Sequence, residues 1–171
     1  MRRAALTILA SASLGLCLLA GPAAAALPQA ELRGARAIAP PSAPPAVKAM
    51  IDAANQIRHR PYRWGGGHRT WASRGYDCSG SVSYVLHAAG LLDYPLDSTG
   101  FMSWGRGGAG SWVRIYANHE HVFAVIAGLR WDTSYITDGD RSGPGWSEEM
   151  RPTNGFRVRH PVGLLAATPL G

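Results

Sequence analysis

The order of patterns along the chain predicts an α+β fold, with helical periodicity first and short runs of branched and aromatic residues after it. Its 171 residues, 46% apolar and 16% charged, suffice for one packed core and exclude a wholly disordered chain, a coiled coil or a collagen. A third observation is Cys78, which falls on the first turn of a predicted helix. The elements follow in order.

Met1-Arg2-Arg3, the apolar run Ala4 to Ala20, a Gly21-Pro22 break and the small residues Ala23 to Ala26 have the layout of a secretory signal peptide cut near Ala26. The interrupted apolar run argues against an uncleaved anchor. Leu16 ahead of Cys17 is not the small residue of a lipobox, and Arg2-Arg3 lacks a twin-arginine context. Export by the general secretory route is expected, to the cell wall or periplasm or outside the cell, with no stable membrane anchor afterwards. Residues 27–45, which include Ala39-Pro40-Pro41-Ser42-Ala43-Pro44-Pro45, are expected to be an extended tether. The folded domain, 46–171, is expected to start near Ala46.

Of the 17 cations, Arg2 and Arg3 belong to the leader, so 15 remain against 11 acids, a net charge of +4. Lys48 is the only lysine and the arginines are scattered, which argues against a nucleic-acid partner. Anionic wall polymers fit the mild excess, which otherwise serves solubility.

Val47, Met50, Ile51, Ala54 and Ile57 follow the i, i+3, i+4, i+7 spacing behind a proline start signal, giving a first amphipathic helix that ends before Pro61. A second runs from about Cys78 to Ala89, with Val82, Val85, Leu86 and Ala89 on the face of Cys78, His87 opposite, Asp77 as N-cap and Gly90 as its close. Leu91 to Ser111 reads as a Gly-rich connection with a short helix at Ser98 or Thr99. Trp112 to Ala117, His121 to Ala127 and Leu129 to Ser134 read as an antiparallel meander, tightly turned at Gly128. A long loop, Tyr135 to Asn154, precedes a last strand at Phe156 to His160.

Discarding Cys17 with the leader leaves Cys78 as a lone thiol in an oxidising compartment, without an intramolecular disulfide partner. A buried core cysteine or an intermolecular bridge would be the bland explanations. The chemical one is a nucleophile: a thiol attacks as thiolate, which a helix N-terminus and a neighbouring imidazolium favour. His121, opening the middle strand, is the candidate base. A third polar group has to orient the imidazole, and Asp132 lies across the Gly128 turn, with Thr133 the choice if the register slips by one residue.

With Pro61-Tyr62-Arg63-Trp64-Gly65-Gly66, Tyr76-Asp77-Cys78-Ser79-Gly80 opening a helix, and His121-Val122 on a Gly-turned strand, the stretch from about Ala46 to Ser134 resembles the NlpC family of papain-like cell-wall cysteine peptidases. The resemblance implies a papain-like form of the α+β class, with the nucleophile at a helix N-terminus packed on an antiparallel sheet. It further implies hydrolysis of peptidoglycan stem-peptide amides, usually between D-γ-glutamate and the diamino acid, by a Cys-His-polar triad. Cys78 matches the nucleophile and His121 the base, and the backbone N–H of Cys78 helps bind the oxyanion. Tyr62, Asp77 and Ser79 match positions that line the substrate pocket. Three features depart from the family. The third catalytic position is often His but here reads Asp132, Gly110-Ser111-Trp112-Val113 stands where a Gly-Asp lead-in is usual, and no wall-binding repeat precedes the domain. The partner is stem peptide, no cofactor or metal is required, and a monomer is expected. A muramoyl-alanine amidase and a non-catalytic wall-binding module on the same fold are the alternative readings.

Other signals are weaker. His119-x-His121 has a zinc-like spacing without a convincing third ligand, since His59, His68 and His160 would have to be recruited by the fold. Asp138-x-Asp140-x-Ser142-Gly143 with Glu149 has calcium-loop spacing, but Pro144-Gly145 and the lack of flanking helices favour a turn. Trp71, Trp104, Trp112, Trp131 and Trp146 read as core aromatics before they read as a glycan groove.

Overall fold

A computed structural model describes residues 27–134 and 142–164. The expected leader, and Asp138 and Asp140 of the calcium-like spacing, lie outside them. Among the described residues no helix is long and apolar enough to cross a membrane.

The order is β1 (Glu31–Arg33), β2 (Arg36–Ile38), α1 (Pro45–Ile57), α2 (Cys78–Ala88), α3 (Ser98–Phe101), β3 (Arg106–Gly107), β4 (Val113–Ala117), β5 (Val122–Ile126), β6 (Leu129–Asp132), β7 (Gly145–Ser147) and β8 (Arg157–His160). Strands β3 to β8 form one antiparallel sheet in the order β3-β8-β4-β5-β6-β7. α1 and α2 pack on each other, and α2 packs on β5 and β6. The class is α+β.

Proline at the first turn starts α1, and Val47, Met50, Ile51, Ala54 and Ile57 are all buried, as the periodicity requires. On α2 the apolar face of Val82, Val85 and Leu86 is fully buried, and Gly90, at φ 69°, takes the left-handed conformation just past the helix end. Ala127 (φ 46°) and Gly128 (φ 88°) form the two-residue turn between β5 and β6, whose twist matches that of the strands it joins.

The tether reading of residues 27–45 is corrected. β1 and β2 form a hairpin in this stretch, and Ala30, Ala37 and Ala43 are buried in the core. The Ala30 N–H donates to the Ala127 carbonyl at 2.7 Å. Asn55 of α1 clamps β2: its Oδ1 accepts from the Ala37 N–H (3.0 Å) and its Nδ2 donates to the Ala37 carbonyl (2.8 Å). The indole Nε1 of Trp146 also donates to Asn55 Oδ1, at 3.1 Å, so one buried amide joins β2, α1 and β7. Small alanines let the backbone approach α1 closely, and a side-chain amide satisfies it there; alanine and proline content does not distinguish this from a free linker. The fold thus starts upstream of Ala46.

Two short strands fall where loops were expected, β3 in the Gly-rich connection and β7 in the loop after Ser134. They have two and three residues, too few for alternation to show. Trp112, Trp131 and Trp146 are core residues, the last two in contact at a ring separation of 4.9 Å.

Candidate active site

The loop leading into α2 is built from backbone contacts. The Arg63 N–H donates to the Tyr76 carbonyl and the Tyr76 N–H to the Pro61 carbonyl, both at 3.1 Å, while the Asp77 N–H donates to the Gly66 carbonyl at 3.2 Å. This last contact leaves no room for side chains. A Cβ on Gly80 would lie 1.9 Å from the Gly66 oxygen, and one on Gly67 would lie 2.9 Å from the Cα of Gly80. Gly67 and Gly80 are therefore what let the loop lie against the helix start.

Asp77 caps α2: its Oδ1 accepts the Gly80 N–H at 2.7 Å and its Oδ2 the Gly65 N–H at 2.8 Å. Burial pushes its carboxyl up, but hydrogen bonds from His68, Gly80 and Gly65 outweigh this and hold it below the usual value. Cys78 follows at the first position of α2, buried, where its thiol interacts with the imidazole of His121.

His121 stands just ahead of β5. Asn118 fixes it there, its Oδ1 accepting the His121 N–H at 2.8 Å while the Asn118 N–H donates to the His121 carbonyl at 3.0 Å. On the far side of the ring, Nε2 donates to Asp132 Oδ1 at 2.8 Å, which leaves Nδ1 to face the thiol. Continuing the pairing of Ala124 with Trp131 places Phe123 opposite Asp132, so His121 and Asp132 share a face of the hairpin as diagonal neighbours. Register thus decides between the two candidates. Thr133 points the other way and is buried, with its hydroxyl unpartnered.

Asp132 is fully buried and densely held. Besides His121, Oδ1 accepts the Ser134 N–H at 3.0 Å, while Oδ2 accepts from Arg130 (3.2 Å) and Arg151 (3.1 Å). The Arg151 guanidinium lies 5.7 and 5.9 Å from the ring centres of Phe123 and Phe156. Phe123 also stacks on Tyr116 at 4.7 Å. Burial pushes the Asp132 carboxyl up, and His121, Ser134 and Arg151 more than reverse it, so it is held low. For His121, burial opposes the charge, but the Asp132 and Cys78 interactions prevail and raise its pKa from 6.5 to about 9. The imidazolium is the form that this site favours.

Of the residues singled out from sequence, Cys78, His121 and Asp132 come together. Tyr62 is half-buried and bridges to Tyr76. Asp77 and Ser79 flank Cys78 but are buried, their polar atoms engaged with each other and with His68. The two zinc-like histidines diverge: the His119 ring approaches Thr99 at 3.4 Å, not the group that holds His121. Among the described residues no cluster of three or more His, Cys, Asp or Glu side chains could hold a metal ion. Sequence reasoning missed Arg130, Arg151 and Asn118, and gave His68 no role at this site. Arg130 had a local signal, since it lies two residues from Asp132 and so on the same strand face.

No protein-family model matches the chain. Among curated proteins it is similar to peptidoglycan endopeptidase RipB of Mycobacterium tuberculosis, in strains CDC 1551 / Oshkosh and ATCC 25618 / H37Rv. The two are 39% identical in an 83-residue alignment covering 43% of this chain. The match spans about a third of the curated relatives' length, 34%. Among solved structures, an NlpC/P60 family protein from Bacillus cereus ATCC 10987 aligns over 68% of this chain and 40% of its own, at a TM-score of 0.48 and 21% identity. The Resuscitation Promoting Factor Interacting protein RipA aligns over 68% and 62%, at 0.49 and 22%. The α+β arrangement and the partial similarity to a peptidoglycan endopeptidase agree with the resemblance carried by the motifs at Tyr62–Gly66 and Asp77–Gly80.

Proposed function

We propose that the protein is an exported peptidoglycan hydrolase that cuts stem-peptide amide bonds, between D-γ-glutamate and the diamino acid, as a monomer without a cofactor. The observation that carries this reading is the His121 imidazole held between the Cys78 thiol and the buried Asp132 carboxylate.

In this mechanism the Cys78 proton resides on His121, and the thiolate attacks the scissile carbonyl carbon. The Cys78 N–H, one of the helix-start amides without an intrahelical acceptor, donates to the oxyanion. The C–N bond then breaks as His121 passes its proton from Nδ1 to the leaving amine, leaving a thioester on Cys78. Water, deprotonated by His121, attacks that thioester, and the acid product leaves with the thiol restored. Asp132 keeps the proton-bearing nitrogens in place by accepting from Nε2 throughout. Tyr62, Asp77 and Ser79 surround the nucleophile as the base of the stem-peptide pocket.

The test is digestion of purified peptidoglycan with mass spectrometry of the released muropeptides, beside Cys78→Ala and a chelator control. Stem-peptide fragments that vanish with Cys78→Ala and survive chelation are expected. Free glycan with intact stems would make the protein an amidase. A folded protein that binds sacculi but releases nothing would make it a wall-binding module.

A further inference from the structure

A second imidazole contacts the two residues that flank the nucleophile. His68 Nε2 lies 3.0 Å from Asp77 Oδ1 and 3.1 Å from Ser79 Oγ, so one ring nitrogen bridges the residues on both sides of Cys78. The Ser79 hydroxyl itself donates to Asp77 Oδ1 at 3.2 Å. Its oxygen lone pairs therefore face His68, and the hydrogen in this three-way contact must sit on His68 Nε2. The same Asp77 oxygen accepts the Gly80 N–H that caps α2.

Whatever fixes Asp77 Oδ1 thus fixes the cap and the helix's first residue, which is Cys78. His68 is placed for this by Gly66 and Gly67, whose backbone lies directly against Gly80. Its hydrogen bond to Asp77 favours the charged ring, burial opposes it, and the charges of Asp77 and Asp97 add to the first, so its pKa is raised. The outcome is a charge-assisted donor aimed at a buried carboxylate, a strong class of hydrogen bond.

We propose that His68 is a positioning residue for Cys78, holding Asp77 and Ser79 so that the thiol stays aligned with His121. This deepens the thiol reading of the site and rests on it. The role acts through the helix start and involves no contact with the reacting bond, so its loss affects the chemical step before substrate affinity.

The experiment compares the full chain with His68→Ala and His68→Gln, since the glutamine amide N–H mimics the Nε2 donor. Two quantities are read: the rate of alkylation by iodoacetamide at the peptide carrying Cys78, separated from Cys17 by mass spectrometry, and kcat and KM for muropeptide cleavage. For His68→Ala, alkylation and kcat are each expected to fall by about tenfold with KM within about twofold, and His68→Gln to recover most of both. Unchanged alkylation in His68→Ala, or a glutamine variant as slow as the alanine variant while melting at the wild-type temperature, overturns the proposal. If His68→Ala does not fold, His68→Gln decides alone: alkylation and kcat near wild type uphold it, and about a tenfold loss overturns it. Because alkylation needs no peptidoglycan, a wild-type protein that cleaves no wall would refute the proposed function and leave this test standing.

Discussion

Raising the pH through the titration of His121 is expected to remove a defined amount of stability. The ring is nearly buried, 12% exposed, and its pKa moves from 6.5 to about 9 on folding. That difference corresponds to about 3 kcal/mol favouring the imidazolium in the folded state. Because the folded value is the higher, this stabilisation is complete below pH 6.5 and is lost as the pH rises to about 9. Asp132 works in the opposite sense: its folded pKa lies below the ordinary 3.8, so its contribution is present above 3.8 and disappears as the pH falls through the depressed value. For a domain of this size about 3 kcal/mol is roughly 6–12 °C in Tm. Thermal unfolding of Cys78→Ser, in which no thiol exchanges its proton with the ring, is expected to fall by the Asp132 share of that amount between pH 6.5 and about 9, and adding His121→Gln to remove most of the slope. Wild type is expected to have the flatter profile, because the proton that the folded protein holds on His121 is still on the sulfur in the unfolded chain. A Cys78→Ser Tm that stays flat across this interval, or a slope unchanged by adding His121→Gln, would refute the electrostatic account of the site.

Asn55→Ala strands the Ala37 N–H and C=O and the Trp146 indole N–H in a site that is 2% exposed. It is expected to cost about 2–4 kcal/mol in urea unfolding, and a loss within about 0.5 kcal/mol would show that the hairpin is held by other contacts. Gly80→Ala forces a methyl to 1.9 Å from the Gly66 oxygen, so the loop must move off the helix start. A destabilisation of about 1–3 kcal/mol and slower alkylation of Cys78 are expected, and an unaltered Tm and rate would contradict the close approach.

The parts of this fold that repeat over several turns were legible in sequence. α1 and α2 show their buried faces through spacing alone, and Cys78 and Asp77 take their places from the helix start they mark. Asp132 was legible only as one of two choices, because a one-residue slip exchanges the faces of a hairpin and nothing local sets that register. The structure sets it through the Ala127-Gly128 turn and the pairing of Ala124 with Trp131. Arg151 escaped for a different reason: it reaches Asp132 from nineteen residues away, across a connection whose path the sequence does not encode locally. The hairpin of residues 27–45 was misread because its partner, Asn55, lies in a helix read for its apolar positions. Its one polar buried residue gave no periodic signal.

The site's residues come from separate stretches of chain. The thiol stands at the start of α2, its imidazole ahead of β5, the carboxylate eleven residues beyond that, and the clamping guanidinium nineteen further on. No segment short enough to fold locally contains both sulfur and base. In the proposed mechanism an extended or half-folded chain therefore holds its cysteine apart from the imidazole that would take its proton, and the two meet only when the sheet closes. Under the proposed mechanism, chemical competence thus follows completion of the fold, and a newly made chain cannot attack an amide before that.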